Sequence, residues 1–186
     1  MPRVIVITGP SGVGKGTLIR GLLERMPQLE LSVSATTRAP RAGERDGVEY
    51  HFLTPAQFDA HLAAGDFLEH ATYAGNRYGT LREEVLRRAA EGRPVVLEIE
   101  VQGARQVRET LPDALAVFIA PPSLEALRSR LVGRGTDTAE QVESRLQMAS
   151  QELSARDEFA RVVVNDRLEL AVDELVSIVE DALADR

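Results

Sequence analysis

The segment GPSGVGKGT, residues 9–17, constrains the fold of this chain more than any other stretch. It nearly matches the phosphate-binding pattern G-x-x-x-x-G-K-[ST], with Gly9, Gly14 and Lys15 in the required places. The apolar run RVIVIT before it predicts a buried strand, and the apolar spacing of KGTLIRGLLERM after it predicts a helix. Strand, glycine loop and helix in this order are the context in which the pattern binds a nucleotide phosphate.

Lys15 is the only lysine among 22 lysine and arginine residues. A compact ammonium group suits a closed glycine loop, where the broad, planar guanidinium group of arginine would not fit. Glycines let backbone N–H groups converge on phosphate oxygens, and the N-terminus of the helix adds partial positive charge. We therefore expect Lys15 to contact the β- and γ-phosphates of a nucleotide, although the loop alone does not separate a kinase from a GTPase or a motor ATPase. The residues predicted to bind the nucleotide phosphates are Gly9, Pro10, Ser11, Gly12, Val13, Gly14, Lys15, Gly16 and Thr17.

The protein ligand of the expected Mg²⁺ ion is less sharply defined. Gly16 stands where the pattern has a serine or threonine, so the usual hydroxyl ligand is missing, and Thr17 follows it. The apolar strand PVVLEIE ends in acids, which makes Glu98 or Glu100 the second candidate for the metal side of the site. Since Mg²⁺ keeps several waters, Thr17 and Glu98 stay as alternative ligands, directly or through water.

Strand and helix patterns alternate along most of the chain. This alternation predicts an α/β fold with a mainly parallel sheet that helices cover on both faces. Shorter strands and polar loops between about residues 31 and 78 predict an inserted lobe, in which LELSVSATT is expected to be one strand. Three helices carry the signature of a capping box, in which Thr54 pairs with Gln57, Thr80 with Glu83 and Thr138 with Gln141.

Composition excludes several other classes of function. A net charge of −7 argues against nonspecific binding to nucleic acid or to a membrane surface. Without cysteine, the chain cannot form disulfides, thiolate metal sites or a cysteine nucleophile. The first apolar run is too short for a secretory or membrane segment, so we expect one domain of 186 residues in the cytoplasm.

Several separated segments together resemble guanylate kinases. They are VIVITGPSGVGKGT, SVSATTRAPRAGERDGVEYHF, FLEHATYAGNRYGT, LEIEVQG, FIAPPS, RLVGRGTDT and VVVND, which follow one another over nearly the whole chain. The resemblance implies a P-loop NTPase core with a parallel sheet flanked by helices, an inserted GMP-binding lobe and a helical lid. It places the core at about 1–30 and 81–186, the lobe at about 31–80 and the lid at about 126–155.

The resemblance also implies transfer of the γ-phosphoryl group from ATP–Mg²⁺ to GMP, with dGMP as a further candidate substrate. The residues implied for GMP are Arg38, Arg41, Tyr50 and Tyr78 at its phosphate, and Ser34, Glu69, Thr80 and Glu100 at its base. The residues implied for catalysis are Lys15, Arg38, Arg130, Arg134 and Arg145. The family usually has Asp-x-Asp where this chain has Glu98 and Glu100.

The implied chemistry agrees with the residue types. The carboxylate of Glu69 can accept hydrogen bonds from N1–H and the 2-amino group of guanine, while Ser34 and Thr80 can donate to O6 and N7. Adenine would leave Glu69 unpaired, which costs roughly 1–3 kcal/mol or more for a buried group. The acceptor phosphate, with a second pKa near ~6, is largely dianionic at neutral pH, so no general base is needed. We assign no catalytic role to His51, His61 or His70.

Two other functions stay open on the sequence alone. A ribose bisphosphate kinase of similar fold would not need the guanine-recognition residues. A guanylate-kinase-like interaction module would bind peptides and typically has a degraded phosphate loop, whereas this chain keeps Lys15. The expected partners are small-molecule substrates, and the chain is expected to be a monomer or a homodimer.

Overall fold

The computed structural model describes residues 3–73, 75–133 and 138–184. The strands are β1 (Val4–Thr8), β2 (Glu30–Leu31), β3 (Ala35–Thr36), β4 (His51–Phe52), β5 (Phe67–Tyr73), β6 (Asn76–Leu81), β7 (Val95–Glu98), β8 (Leu115–Ala120) and β9 (Arg161–Val164). The α-helices are α1 (Lys15–Arg25), α2 (Pro55–Ala64), α3 (Arg82–Ala90), α4 (Val101–Thr110), α5 (Leu124–Gly133), α6 (Ala139–Leu153) and α7 (Leu168–Ala184). A short 3-10 helix spans Arg156–Glu158.

Five strands form a parallel sheet in the order β2-β7-β1-β8-β9. Every neighbouring pair in it is parallel, and the central strand β1 pairs with β7 and β8. The register places Ile7 opposite Glu98, so the end of β1 and the acid at the end of β7 lie at the same edge of the sheet. The predicted α/β fold with a parallel sheet is confirmed.

Helices cover both faces of this sheet. Successive side chains of β1 point to opposite faces, so each face contributes to a separate part of the core. On one face, Ile5 and Ile7 join the buried side chains of α1 and α7. On the other face, Val4 and Val6 pack with residues of α3, α4 and β7. The phosphate loop, residues 9–17, therefore starts at the carboxyl end of the central strand of a sheet that is packed on both faces.

A second, mixed sheet in the order β4-β3-β6-β5 lies apart from the first. The prediction of one strand for LELSVSATT is wrong, because β2 belongs to the large sheet and β3 to the small one. The last contact with the large sheet is the bond from Ser32 N–H to the Val96 carbonyl, and Ala35 already pairs with Gly79. Residues 32–34 carry the chain from one sheet to the other.

Two of the three capping boxes are confirmed, at Thr54 and at Thr138. The third is wrong, since α3 begins after Leu81 and has no side-chain cap. Strand pairing continues as far as Leu81 opposite Phe67, which keeps Thr80 inside β6. Its hydroxyl donates to Glu69 instead of to a helix N-terminus. A strand partner eleven residues away thus prevails over the local capping signal.

None of the helices in the described part of the chain is long and apolar enough to cross a bilayer.

Candidate active site

The phosphate loop between β1 and α1 depends on glycines at two positions. Gly14 caps α1 in the left-handed region, with a φ of 99°, which favours glycine. At Gly9, φ is 139° and an added Cβ would lie 2.2 Å from the carbonyl oxygen of Ile119 in β8. The loop is therefore tightly seated on the sheet. Three residues of the loop are buried, namely Gly9, Pro10 and Val13.

Lys15 folds back over this loop and is only 8% exposed. Its Nζ donates to the carbonyl oxygens of Gly9 at 2.5 Å and Pro10 at 3.3 Å. Glu100 lies 3.7 Å from the same nitrogen. The ammonium group is thus held by two carbonyl oxygens of the loop and lies near one carboxylate.

A cleft of about 550 Å³ separates the phosphate loop from the small sheet. It brings together many of the residues predicted from the sequence, from both sides. They are Ser11, Gly12, Gly14, Lys15, Gly16, Thr17, Ser34, Tyr50, Glu69, Tyr78, Glu98, Glu100 and Arg145. Arg38, Arg41, Thr80 and Arg130 are not among the lining residues, and Arg134 lies outside the described residues.

Glu69, on β5, is the most deeply buried acid of the cleft, at 5% exposure. Its Oε1 accepts a 2.6 Å hydrogen bond from the Thr80 hydroxyl on the neighbouring strand. Burial raises the pKa of Glu69 to about 7, against the opposing effect of Thr80, and the nearby charge of Glu100 adds a smaller increase. A carboxyl group in this state needs N–H donors to favour its ionised form.

An arginine and two tyrosines lie together at the other end of the small sheet. The guanidinium group of Arg38 is 5.3 Å from the centre of the Tyr50 ring, and the Tyr50 and Tyr78 rings meet edge to face at 6.1 Å. Arg38 Nη2 pairs with Glu44 at 2.9 Å, and the other oxygen of Glu44 accepts from the Arg41 backbone N–H at 2.7 Å. One carboxylate thus holds both arginine segments together.

Glu98, at the end of β7, faces the start of α1. A Cβ at Gly16 would lie 3.7 Å from each of its carboxylate oxygens. Although Glu98 is solvent-accessible, the surrounding cleft desolvates its carboxyl group and raises its pKa, while Lys15 acts in the opposite direction. Among residues 3–73, 75–133 and 138–184, no group of three His, Asp or Glu side chains could hold a metal ion.

The donor set nevertheless fits a phosphate-bound Mg²⁺ ion. Such an ion requires few protein ligands, since phosphate oxygens and water complete its octahedral shell. Glu98 supplies a hard oxygen donor beside the phosphate loop, and Thr17 lines the same cleft. The small Gly16 leaves the space in front of Glu98 open.

Two of the predicted arginines contact the phosphate loop directly. Arg130 donates from Nη1 to the Val13 carbonyl at 3.2 Å and from Nη2 to the Asn165 carbonyl at 2.7 Å. Arg145 donates to the Ser11 hydroxyl at 2.9 Å. Helices α5 and α6, which pack together around Leu127 and Leu131, therefore bring positive charge to the loop.

Sequence reasoning missed three residues of this region, Glu44, Glu152 and Asn165. Glu152 accepts from the Ser11 backbone N–H at 3.3 Å, and burial together with the adjacent Glu100 raises its pKa to about 7. It follows Arg145 by two helical turns, a spacing that predicts a common face of α6. Asn165 donates to the Val13 carbonyl at 2.8 Å, and no spacing in the sequence signals that contact.

Comparisons with known proteins agree with this geometry. The family model described as guanylate kinase matches residues 1–182. A guanylate kinase of Synechococcus sp. (strain CC9311) is 56% identical over 173 residues, which cover 93% of this chain and 91% of the relative. A guanylate kinase of Thermobifida fusca is 52% identical and covers 95% and 90%, respectively. The crystal structure of guanylate kinase from Anaplasma phagocytophilum superposes with a TM-score of 0.80 at 31% identity, covering 98% of this chain and 86% of that one.

Proposed function

This chain belongs to the guanylate kinase family, and we propose that its cleft is where the γ-phosphoryl group of ATP passes to GMP. The products are ADP and GDP. One observation carries the proposal for the cleft: the phosphate loop with Lys15 faces a buried carboxylate, Glu69, across a cavity of about 550 Å³. This arrangement supports a triphosphate at the loop and an acceptor base at Glu69, with room between them for the acceptor phosphate.

We assign the ATP phosphates to the loop of residues 9–17. Its left-handed glycines turn backbone N–H groups toward one space, and α1 begins directly behind them. Lys15 supports the loop by donating to the carbonyl oxygens of Gly9 and Pro10. With ATP bound, the same ammonium group neutralises charge on the β- and γ-phosphates.

We assign the metal side of the site to Glu98 and Thr17. When bound, Mg²⁺ neutralises negative charge on the β- and γ-phosphates. Glu98 stands opposite Ile7 at the edge of the large sheet, and its carboxylate faces the open space above Gly16. Because Gly16 offers no side chain, Glu98 is the stronger candidate for holding a metal-bound water.

We assign guanine to Glu69, with Ser34, Thr80 and Glu100 beside it. Its buried carboxylate can accept from N1–H and from the 2-amino group, and adenine offers neither donor at these positions. Thr80 already donates to Glu69 at 2.6 Å, which favours a role in orienting the carboxylate. Glu100 lies between Lys15 and Glu69, close enough to the latter to raise its pKa.

We assign the GMP phosphate to Arg38, Arg41, Tyr50 and Tyr78. The tyrosine rings fix the arginine from one side, so its planar fork of N–H donors is held ready for a phosphate. Glu44 accepts from both arginine segments. A dianionic phosphate, with more charge and more acceptor oxygens, competes for these donors.

Transfer in this arrangement depends on positioning and charge neutralisation. The acceptor is an ionised phosphate oxygen, so it needs no base. We propose that α5 and α6 form the lid, about residues 126–155, and that the small sheet lies in the GMP lobe, about residues 31–80. Arg130 and Arg145, which contact the phosphate loop, neutralise the transferring group together with Arg134 when the cleft closes and excludes water.

A coupled assay for ADP tests this proposal with four acceptors: GMP, AMP, ribose 1,5-bisphosphate and none. We expect rapid ADP formation with GMP, and rates lower by about 10⁴-fold with AMP, since sites built on such hydrogen bonds discriminate to this degree. Equal rates with GMP and ribose bisphosphate would contradict the assignment of a base site. Absence of ADP formation with every acceptor would favour an interaction module.

A further inference from the structure

Helix α4, which covers the large sheet, also packs against β5 of the small sheet beside Glu69. At the point of contact the helix carries Gly103, which is buried. A Cβ atom there would lie 2.4 Å from Oε2 of Glu69, 3.0 Å from its Cδ and 3.3 Å from its Cγ. All three nearest atoms belong to the same carboxyl side chain, so any side chain at residue 103 would displace Glu69.

Gln106 follows Gly103 by one helical turn and lies on the same face of α4. Its Nε2 donates to the His70 carbonyl at 2.9 Å, and its Oε1 accepts from the His70 N–H at 3.0 Å. His70 is the neighbour of Glu69 in β5. The two bonds therefore fix the strand backbone at the residue next to the carboxylate.

We infer that Gly103 and Gln106 are positioning residues for guanine recognition. Gly103 leaves room for the carboxylate of Glu69, and Gln106 fixes the strand that carries it. The inference rests on the proposed role of Glu69. It extends base recognition beyond the small sheet, to a helix that directly follows Glu98 and Glu100 in the chain.

Helix stability alone would not select glycine at this position. Alanine has a higher helix propensity than glycine, and Gly103 lies inside α4, where φ is not in the left-handed region. The constraint therefore comes from Glu69. Thr80 holds the other oxygen of the same carboxylate at 2.6 Å, so the group is fixed from two sides and cannot yield without losing that bond.

Steady-state kinetics of Gly103→Ala with GMP and with IMP test the inference. IMP has no 2-amino group, so the ratio of kcat/KM for GMP to that for IMP reports the second hydrogen bond of Glu69. We expect kcat/KM for GMP to fall about tenfold or more, chiefly through KM for GMP, and the ratio to shrink. The KM for ATP should stay within about twofold, and Gln106→Leu should shift the same parameters in the same direction.

A double-mutant cycle separates positioning from general packing. In a Glu69→Ala background, Gly103→Ala should have little further effect on the GMP-to-IMP ratio, because the side chain that it displaces is gone. Arg105→Ala is the matched control, since Arg105 lies on α4 but pairs with Glu158 away from β5. It should behave like the unmodified chain.

Three results would overturn the inference. They are an unchanged KM for GMP in both Gly103→Ala and Gln106→Leu, a parallel rise in KM for ATP, or a full effect of Gly103→Ala in the Glu69→Ala background. If Glu69→Ala alone leaves the GMP-to-IMP ratio unchanged, the proposed role of Glu69 itself is wrong. Should Gly103→Ala fail to fold, Gln106→Leu decides the question.

Discussion

Both carboxylate oxygens of Glu98 lie 3.7 Å from the position that a Cβ atom of Gly16 would occupy. This distance is ordinary van der Waals contact, so a small side chain fits at residue 16. The phosphate-binding pattern ends in serine or threonine at this place, and here a carboxylate from another strand faces the gap instead. The space that Gly16 leaves free is therefore bordered by the carboxylate of Glu98.

Gly16→Ser should therefore lower the Mg²⁺ concentration that gives half the maximal rate. The new hydroxyl adds an oxygen donor beside Glu98, and one such contact corresponds to about a two- to tenfold change. Titration of Mg²⁺ at saturating ATP and GMP measures it. Gly16→Ala fills the same space without an oxygen and is the control. An equal shift in both variants would show that the space, and not the oxygen, matters.

Lys15→Ala should abolish turnover while the chain stays folded. Lys15→Arg keeps the positive charge, but its guanidinium group is too broad for the closed loop. We expect kcat to fall by about 10² or more even in that variant. Circular dichroism checks the fold and the coupled assay checks the rate. Near-normal activity in Lys15→Ala would show that Lys15 is not a catalytic residue.

Arg38→Ala should weaken the binding of GMP far more than that of ATP. The substitution removes the charge-assisted hydrogen bonds proposed between Arg38 and the GMP phosphate, each worth about 1.5–3 kcal/mol. The kcat/KM for GMP should therefore fall by at least about tenfold. Arg38→Lys should recover part of this loss. Arg45→Ala, at an exposed position of the same loop, should resemble the unmodified chain. If Arg38→Ala and Arg45→Ala have equal effects, the loop acts through its general charge alone.

Acid should raise the KM for GMP through Glu69. Its pKa in the free protein is about 7, above the ordinary value of 4.5, because the side chain is buried. The proposed contact with guanine uses the ionised form, and the protonated fraction grows as pH falls below 7. The KM for GMP should then rise up to about tenfold per pH unit.

Glu69→Gln provides the control for this pH profile. The GMP phosphate also titrates, near ~6, and does so equally with either side chain at residue 69. The additional rise between pH 8 and pH 6 should therefore disappear in Glu69→Gln. Identical pH profiles for the two proteins would assign the whole effect to the nucleotide.

The sequence allowed the architecture and the phosphate loop to be predicted, because both rest on local patterns. The apolar run before Gly9 and the helical spacing after Lys15 fix a strand, a turn and a helix without reference to distant residues. The arginines and tyrosines of the small sheet were identified through resemblance to a family, since RAPR alone is typical of any exposed basic loop.

The structural features that could not be predicted from the sequence depend on contacts between distant segments. Thr80 and Glu83 carry a capping signal, yet Thr80 pairs with Glu69 because β5 and β6 are antiparallel. The segment LELSVSATT, residues 29–37, is predicted to be one strand, although its hydrogen bonds go to two sheets. Nothing in the spacing of Gly103 and Glu69 indicates that they meet, since α4 reaches β5 only through the tertiary fold.

The contact of α4 with β5 also bears on how base preference could be exchanged between related kinases. If the small sheet alone were transferred to another kinase, Glu69 and Thr80 would pack against the helix of that kinase that corresponds to α4. A recipient with any side chain at the position of Gly103 would displace the imported carboxylate. On the proposed role of Glu69, base preference therefore involves residues 101–110 of the core as well, and both segments would have to be transferred together.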